Sequence, residues 1–373
     1  MNLIPIYKPF LPKKSKKYAL KALEDGWLTN HTYNIEVEEM LKDIMGVKHV
    51  LLTCNGTAAT HLVAKGLKYK HPKINKIIVP NIVYVAAWNS FLFDNEFKLY
   101  QGLTNPKTWN TDYETVGYSS VVKDKSQYAI LAVHNLGNPV DTPKLIEKSG
   151  VPVVEDACEG FGGKYSNGKW AGTGALVSSL SFFGNKTITS GEGGAIVTND
   201  DDIAQYLERL RGQGQTSTRY IHDLLGYNYR MTNIQAAILR GQLDYLEEIF
   251  ERKSEIWYRY NQAFKDNDKI DLQKVEDGCE HSRWMYGIRF NSSGSNYKEK
   301  ELFFNSRGIE IRPMFYPIDT HSHLNSNDKV FSILDLGNII SKQIVMLPSY
   351  PELSKEDQDR VISVVNEFVG GYV

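Results

Sequence analysis

SFFGNKTITSGEGGAIV, residues 181–197, sets one lysine, Lys186, among small, hydroxylated and apolar residues and follows it with three glycines in four positions. An ammonium ion in compact apolar surroundings is costly unless it is paired. The plain reading is a surface lysine on a strand-to-loop connection. The sharper one is an amine kept neutral or bound as an imine, which is how lysine becomes a catalyst.

Upstream of this stretch, short apolar runs alternate with helical patterns. HVLLTC precedes TAATHLVAKGL, KIIVP precedes VAAWNSFLF, and YAILAV precedes PKLIEKSG and then VPVVED. That rhythm predicts an α/β fold with a mostly parallel sheet covered on both faces. Ligands collect at the carboxyl ends of such strands, so the residues just after each run matter most. From Thr232 to about Lys265 a single long helical pattern follows, with Thr232 as its N-cap. Isolated strands then appear in WMYGIRF and IEIRPMFY. The change of rhythm predicts a large α/β domain over residues 1–245 and a small α+β domain over 246–373.

Several residues at strand ends carry candidate chemistry. In CNGTAAT, residues 54–60, Gly56 lets an anion approach the backbone and Thr57 offers a hydroxyl and an amide at a helix N-terminus. Asp156 in VPVVEDACEG is either a helix cap or the partner of a cationic ring nitrogen. Tyr84 in VPNIVYVAAWNS is either core packing or a ring that stacks on a planar group. Ser181 can donate to the same anion as Thr57. Together with Lys186 these are the parts of a pyridoxal phosphate site. GKYSNGKW, residues 163–170, fits half of a phosphate-binding loop, but Trp170 stands where Ser or Thr would hold magnesium. Its Asn-Gly pair predicts a hairpin instead.

Composition narrows the field. The 373 residues are 42% hydrophobic and 23% charged with a net charge of −1, ordinary values for a soluble globular chain. Bulk attraction to nucleic acid or anionic lipid is not implied. No apolar run reaches about 18 residues, so no membrane span is expected. The first residues lack the apolar core of a signal peptide. Three cysteines, with no CxxC pair, read as reduced thiols rather than a disulfide frame or metal site. The expectation is a cytoplasmic protein without a bound metal.

The blocks GWLTN, CNGTAA, VPNIVYVAAWN, VHNLGNPVD, VVEDACEGFG, SFFGNKTITSGEGG and GYNYRMTNIQAA occur in one order over nearly the whole chain. In this the sequence resembles the DegT/DnrJ/EryC1/StrS sugar aminotransferases. The resemblance implies a fold-type I pyridoxal phosphate-dependent transferase. It implies that Lys186 is the Schiff-base lysine and proton shuttle, that Asp156 faces the pyridine nitrogen, and that Glu159 lies near the ring hydroxyl. Tyr84 is implied as the stacking ring, and Gly56, Thr57 and Ser181 as the phosphate cradle. Asn228 in GYNYR is implied as a phosphate contact given to a neighbouring subunit, hence a homodimer with shared active sites. Arg312 and Tyr316 are implied substrate contacts. Ala87 and Asp319 depart from the family pattern, which carries a hydroxylated residue and a histidine there.

GNKTITSGEGG further resembles the branch that makes perosamine- and viosamine-type sugars. Transfer of the amino group of L-glutamate to C4 of a nucleotide-linked 4-keto-6-deoxyhexose is the implied reaction. The alternatives are amination at C3, a pyridoxamine-dependent dehydratase, in which histidine replaces the lysine, and a non-catalytic cofactor-binding regulator.

Overall fold

The alternation of apolar runs and helical patterns becomes one sheet with helices packed against it. The structure, a computed structural model, describes residues 2–112, 124–291, 296–325, 328, 330–333 and 335–372. Its strands in chain order are β1 (His49–Thr53), β2 (Lys76–Val79), β3 (Lys98–Gln101), β4 (Tyr128–Val133), β5 (Val153–Asp156), β6 (Ser178–Ser181) and β7 (Gly194–Thr198). They are followed by β8 (Ile270–Leu272), β9 (Tyr286–Phe290), β10 (Arg312–Pro313), β11 (Val330–Phe331) and β12 (Ile344–Leu347).

The large sheet runs β1-β7-β6-β5-β4-β2-β3-β11. From β6 to β11 every neighbouring pair is parallel, while β7 is antiparallel to both β6 and β1. Two reversals cancel, so β1 runs the same way as β6. The carboxyl ends of β1, β2, β5 and β6 therefore share one edge. β4 and β5 are buried along their whole length, as strands covered on both faces must be.

The helix Gly56–Lys70 starts where Asn55 accepts a hydrogen bond from the Ala58 amide at 2.8 Å. Its apolar face, with Leu62, Val63 and Leu67, joins the core that β2, β3 and β4 supply with Ile77, Leu99 and Leu131. The expected long helix is two helices, Asn233–Leu243 and Leu246–Phe264. Thr232 does cap the first, reciprocally with Gln235. The helix stops because the chain tightens at Tyr245, whose amide bonds to Gln242 at 2.9 Å. Asp244 is meanwhile drawn into an ion pair with Lys14 at 3.0 Å.

A second sheet, β10-β12-β9-β8, is antiparallel and holds its own core of Phe264, Ile288, Phe304, Val345 and Val365. Several crossings tie it to the rest. Ile4 bridges Ile309, and β11 pairs with β3 at the edge of the large sheet. GKYSNGKW forms the expected hairpin, with Lys164 bridging Trp170 and Gly168 at φ 79°. Among the described residues no helix is long and apolar enough to cross a membrane.

Candidate active site

The shared carboxyl edge opens into a cavity of about 620 Å³. Gly56, Thr57, Tyr84, Asp156, Glu159, Ser181, Lys186, Arg312 and Tyr316 all line it. Each arrives by a short chain of local causes.

Gly56 opens its helix directly against β6. A Cβ there would come within 2.8 Å of the Ser181 Cβ and Oγ atoms, so only glycine lets the helix N-terminus lie this close to that hydroxyl. The turn is held from below by Gly194, where a Cβ would lie 2.6 Å from the Asn55 carbonyl oxygen.

Asp156 ends β5. No helix begins there: Asp156 Oδ1 accepts the Cys158 amide at 3.0 Å, closing a turn, and the side chain faces the cavity. Its neighbour Glu155 points to the opposite face, as strand alternation requires. Glu155 accepts from Thr142 Oγ1 at 2.5 Å, Ser178 Oγ at 2.9 Å and the Tyr165 hydroxyl, and lies 3.2 Å from His134. Burial pushes the Glu155 carboxyl up, but His134 and these hydrogen bonds outweigh it and hold it below the usual carboxylate range. The network behind β5 keeps Asp156 aimed forward.

The Lys186 loop is bonded to itself. The Lys186 amide bonds to the Phe183 carbonyl at 2.9 Å, and the Ser190 amide to the Phe182 carbonyl at 2.9 Å. Thr187 to Ser190 are buried beneath it. Lys186 Nζ projects into the cavity, 3.5 Å from Glu159 Oε1 and 3.9 Å from the ring centre of Trp284. Glu159 Oε2 accepts the Leu136 amide at 2.9 Å. Burial pushes the Glu159 carboxyl up to about 7, against the pull of Lys186.

Tyr84 keeps 58% of its surface, and its ring centre lies 5.9 Å from that of Phe315, so one face remains available for stacking. Arg312 and Tyr316 also line the cavity, on and just after β10. Asp319 does not reach the cavity lining; its carboxylate accepts from Asn338 Nδ2 at 2.7 Å. His321 lines the cavity instead, with its ring against Trp88. Ala87 is buried in the core. Asn228 is exposed on the segment bridged to Gly212 and is not part of this cavity.

Sequence reasoning missed Trp284, Phe315 and His321, which come from the C-terminal third and carry no local signal. Cys158, read only as a reduced thiol, and Asn185, read only as a flank of Lys186, are also in the lining. An anion cradle, an available ring, a buried carboxylate and an amine in one cavity suit a phosphorylated pyridine aldehyde.

Residues 10–366 match the DegT/DnrJ/EryC1/StrS aminotransferase family. The chain belongs to that family. It is 33% identical over 374 residues to the GDP-perosamine synthase of Escherichia coli O157:H7, covering 99% of each chain. It is 32% identical over 377 residues to the GDP-perosamine synthase of Caulobacter vibrioides, covering 98% of each. Among solved structures, Helicobacter pylori PseC, an aminotransferase involved in the biosynthesis of pseudoaminic acid, superposes with a TM-score of 0.90. That pair is 24% identical and each chain is covered completely, so the family fold extends from end to end.

Proposed function

We propose that this family member is a pyridoxal phosphate-dependent aminotransferase that moves the amino group of L-glutamate to C4 of a nucleotide-linked 4-keto-6-deoxyhexose. The product is a 4-amino-4,6-dideoxy sugar nucleotide of the perosamine type. The observation that carries the substrate class is the likeness, over 99% of the chain, to a GDP-perosamine synthase. The lysine in a cavity bordered by Asp156 and Glu159 supports the reaction type.

When bound, pyridoxal phosphate supplies an electron sink for a carbanion next to nitrogen. The residues of this chain do the rest. Gly56, Thr57 and Ser181 would hold its phosphate, and Tyr84 would cover its ring. The Asp156 carboxylate would pair with the ring nitrogen and keep it cationic. Lys186 Nζ removes the proton from the α-carbon of glutamate and later delivers one to the sugar C4. Near-attack geometry needs reacting atoms within about 3.5 Å, so one lysine serves one sugar carbon in a given pose. Arg312 and Tyr316 face the sugar nucleotide.

Two further assignments belong to the same reading. Asn228, exposed and outside its own chain's cavity, completes the phosphate site of a second copy in a homodimer. The chain divides at the helix break, with residues 1–245 carrying the cofactor site and 246–373 closing over it, in the cytoplasm.

A screen of GDP-, UDP- and dTDP-linked 4-keto-6-deoxyhexoses with glutamate tests the proposal. The expected product carries its amine on C4 by NMR. An amine on C3, or turnover with 3-keto sugars alone, overturns it.

A further inference from the structure

The turn His281–Trp284 grips both groups that face each other across the cavity. Arg283 sits at φ 61°, a conformation that a non-glycine residue holds only when its surroundings fix it. Those surroundings are on both sides. The Arg283 amide bonds to His281 Nδ1 at 2.8 Å, and the Ser282 amide to the Gly137 carbonyl at 2.8 Å. Ser282 Oγ donates to the Glu159 carbonyl at 2.8 Å.

Trp284 then turns its indole onto the lysine loop. Its Nε1–H donates to the Asn185 carbonyl at 2.8 Å, and the face of the same ring lies 3.9 Å from Lys186 Nζ. An ammonium over an indole face is attracted by the ring's negative π cloud. The carbonyl of Lys186 is held independently by the Tyr7 hydroxyl at 2.7 Å. From behind, Lys253 Nζ donates to the Trp284 carbonyl at 3.1 Å and to the Ser349 carbonyl at 2.8 Å. A chain of contacts thus runs from the helix Leu246–Phe264 through Trp284 to the amine.

We propose that Trp284 is a positioning residue for Lys186: its indole face confines the amine beside Glu159, and Lys253 fixes the indole in turn. The proposal rests on the reading of Lys186 as the proton-moving amine. Trp284 transfers no proton itself. Its effect falls on how often the amine occupies the reacting position, and therefore on kcat before KM.

The decisive comparison is among wild type, Trp284→Phe, Trp284→Leu and Lys253→Met. In the cofactor-free protein, acylation of Lys186 by a small amine-reactive ester is followed by peptide mass spectrometry at fixed pH. Removal of the π face in Trp284→Leu is expected to raise that rate roughly tenfold, whereas Phe, which keeps a face, stays within about threefold of wild type. With cofactor loaded, single-turnover reaction with glutamate slows about 10²-fold in Trp284→Leu, the cost of an amine misplaced by about 1 Å, while KM for the sugar nucleotide is unchanged. Phe restores most of the rate. Lys253→Met reports on the strut without altering the cavity wall: Lys186 labelling rises by a smaller factor, and this variant decides the matter if Trp284→Leu does not fold. Wild-type labelling in both Trp284→Leu and Lys253→Met, or a Phe variant no better than Leu, overturns the inference. A wild-type protein inert to glutamate sinks the functional reading instead, and the labelling contrast still stands or falls by itself.

Discussion

Lys186 and Lys253 are both withdrawn from water, and both touch Trp284, one at its ring and the other at its carbonyl. Lys253 is 2% exposed and its amine meets two carbonyl oxygens; among the described residues no carboxylate is paired with it. Carbonyl dipoles satisfy the N–H groups without cancelling the charge, and burial pushes the amine down to about 7. Lys186 has a carboxylate 3.5 Å away and an open cavity in front of it. Burial makes an amine unusual; a counter-group and an entrance make it useful. Lys253 has neither, and is a strut.

The contrast is broken most directly by removing each amine. Lys186→Ala is expected to fold and to lose about 10²–10⁴-fold in turnover, the usual cost of a missing general base. Lys253→Met should cost less than about tenfold, because only backbone support, at Trp284 and Ser349, is lost. Steady-state kinetics on the two variants would reverse the assignment if Lys253→Met proved the worse enzyme.

Asp156→Asn sharpens the comparison from the far side of the cavity. An amide closes the same turn to Cys158 but cannot hold a ring nitrogen cationic. The variant should keep bound cofactor and slow both half-reactions, by about tenfold or more in stopped-flow absorbance traces. Unchanged rates would reduce Asp156 to a turn residue.

Smaller effects appear as opposite slopes of stability against pH in the cofactor-free protein. Glu159 titrates at about 7 instead of 4.5, so between those values the folded chain keeps a proton that the unfolded chain has released. Stability therefore falls as pH rises through that window, and Glu159→Gln should remove the slope. Lys253 has the reverse sign. Its folded value of about 7 lies below the ordinary 10.5, so the unfolded chain holds the extra proton between them and stability rises with pH. Lys253→Met should flatten that rise. Melting temperatures across both windows read the two slopes separately.

Much of this was legible because the carboxyl-edge residues announce themselves. Gly56, Tyr84 and Asp156 each follow an apolar run, so their place in the sequence already fixes their place in the sheet. β6 was hidden for the opposite reason. Three of its residues, Ser178, Ser179 and Ser181, are polar yet buried, and the Ser178 and Ser179 hydroxyls donate to Glu155. The break at Asp244–Tyr245 was masked because both flanking segments are helical, and the N-terminal helix that crowds Gly241 through Ser15 is remote in sequence. Trp284 and His321 reach the cavity only because the chain returns to it. No periodicity records a return.

That return has a consequence for how the molecule is made. Ile4 finds its bridge only at Ile309, and β3 gains its outer neighbour only when Val330–Phe331 arrives. On a ribosome the chain therefore lacks the Ile4 bridge until more than eight-tenths of it has been synthesised, and carries an open sheet border until nearly nine-tenths. Open borders are where partly made chains adhere to one another. A message truncated before codon 330 would release a protein with Lys186 and Asp156 already written into it, yet with that border bare.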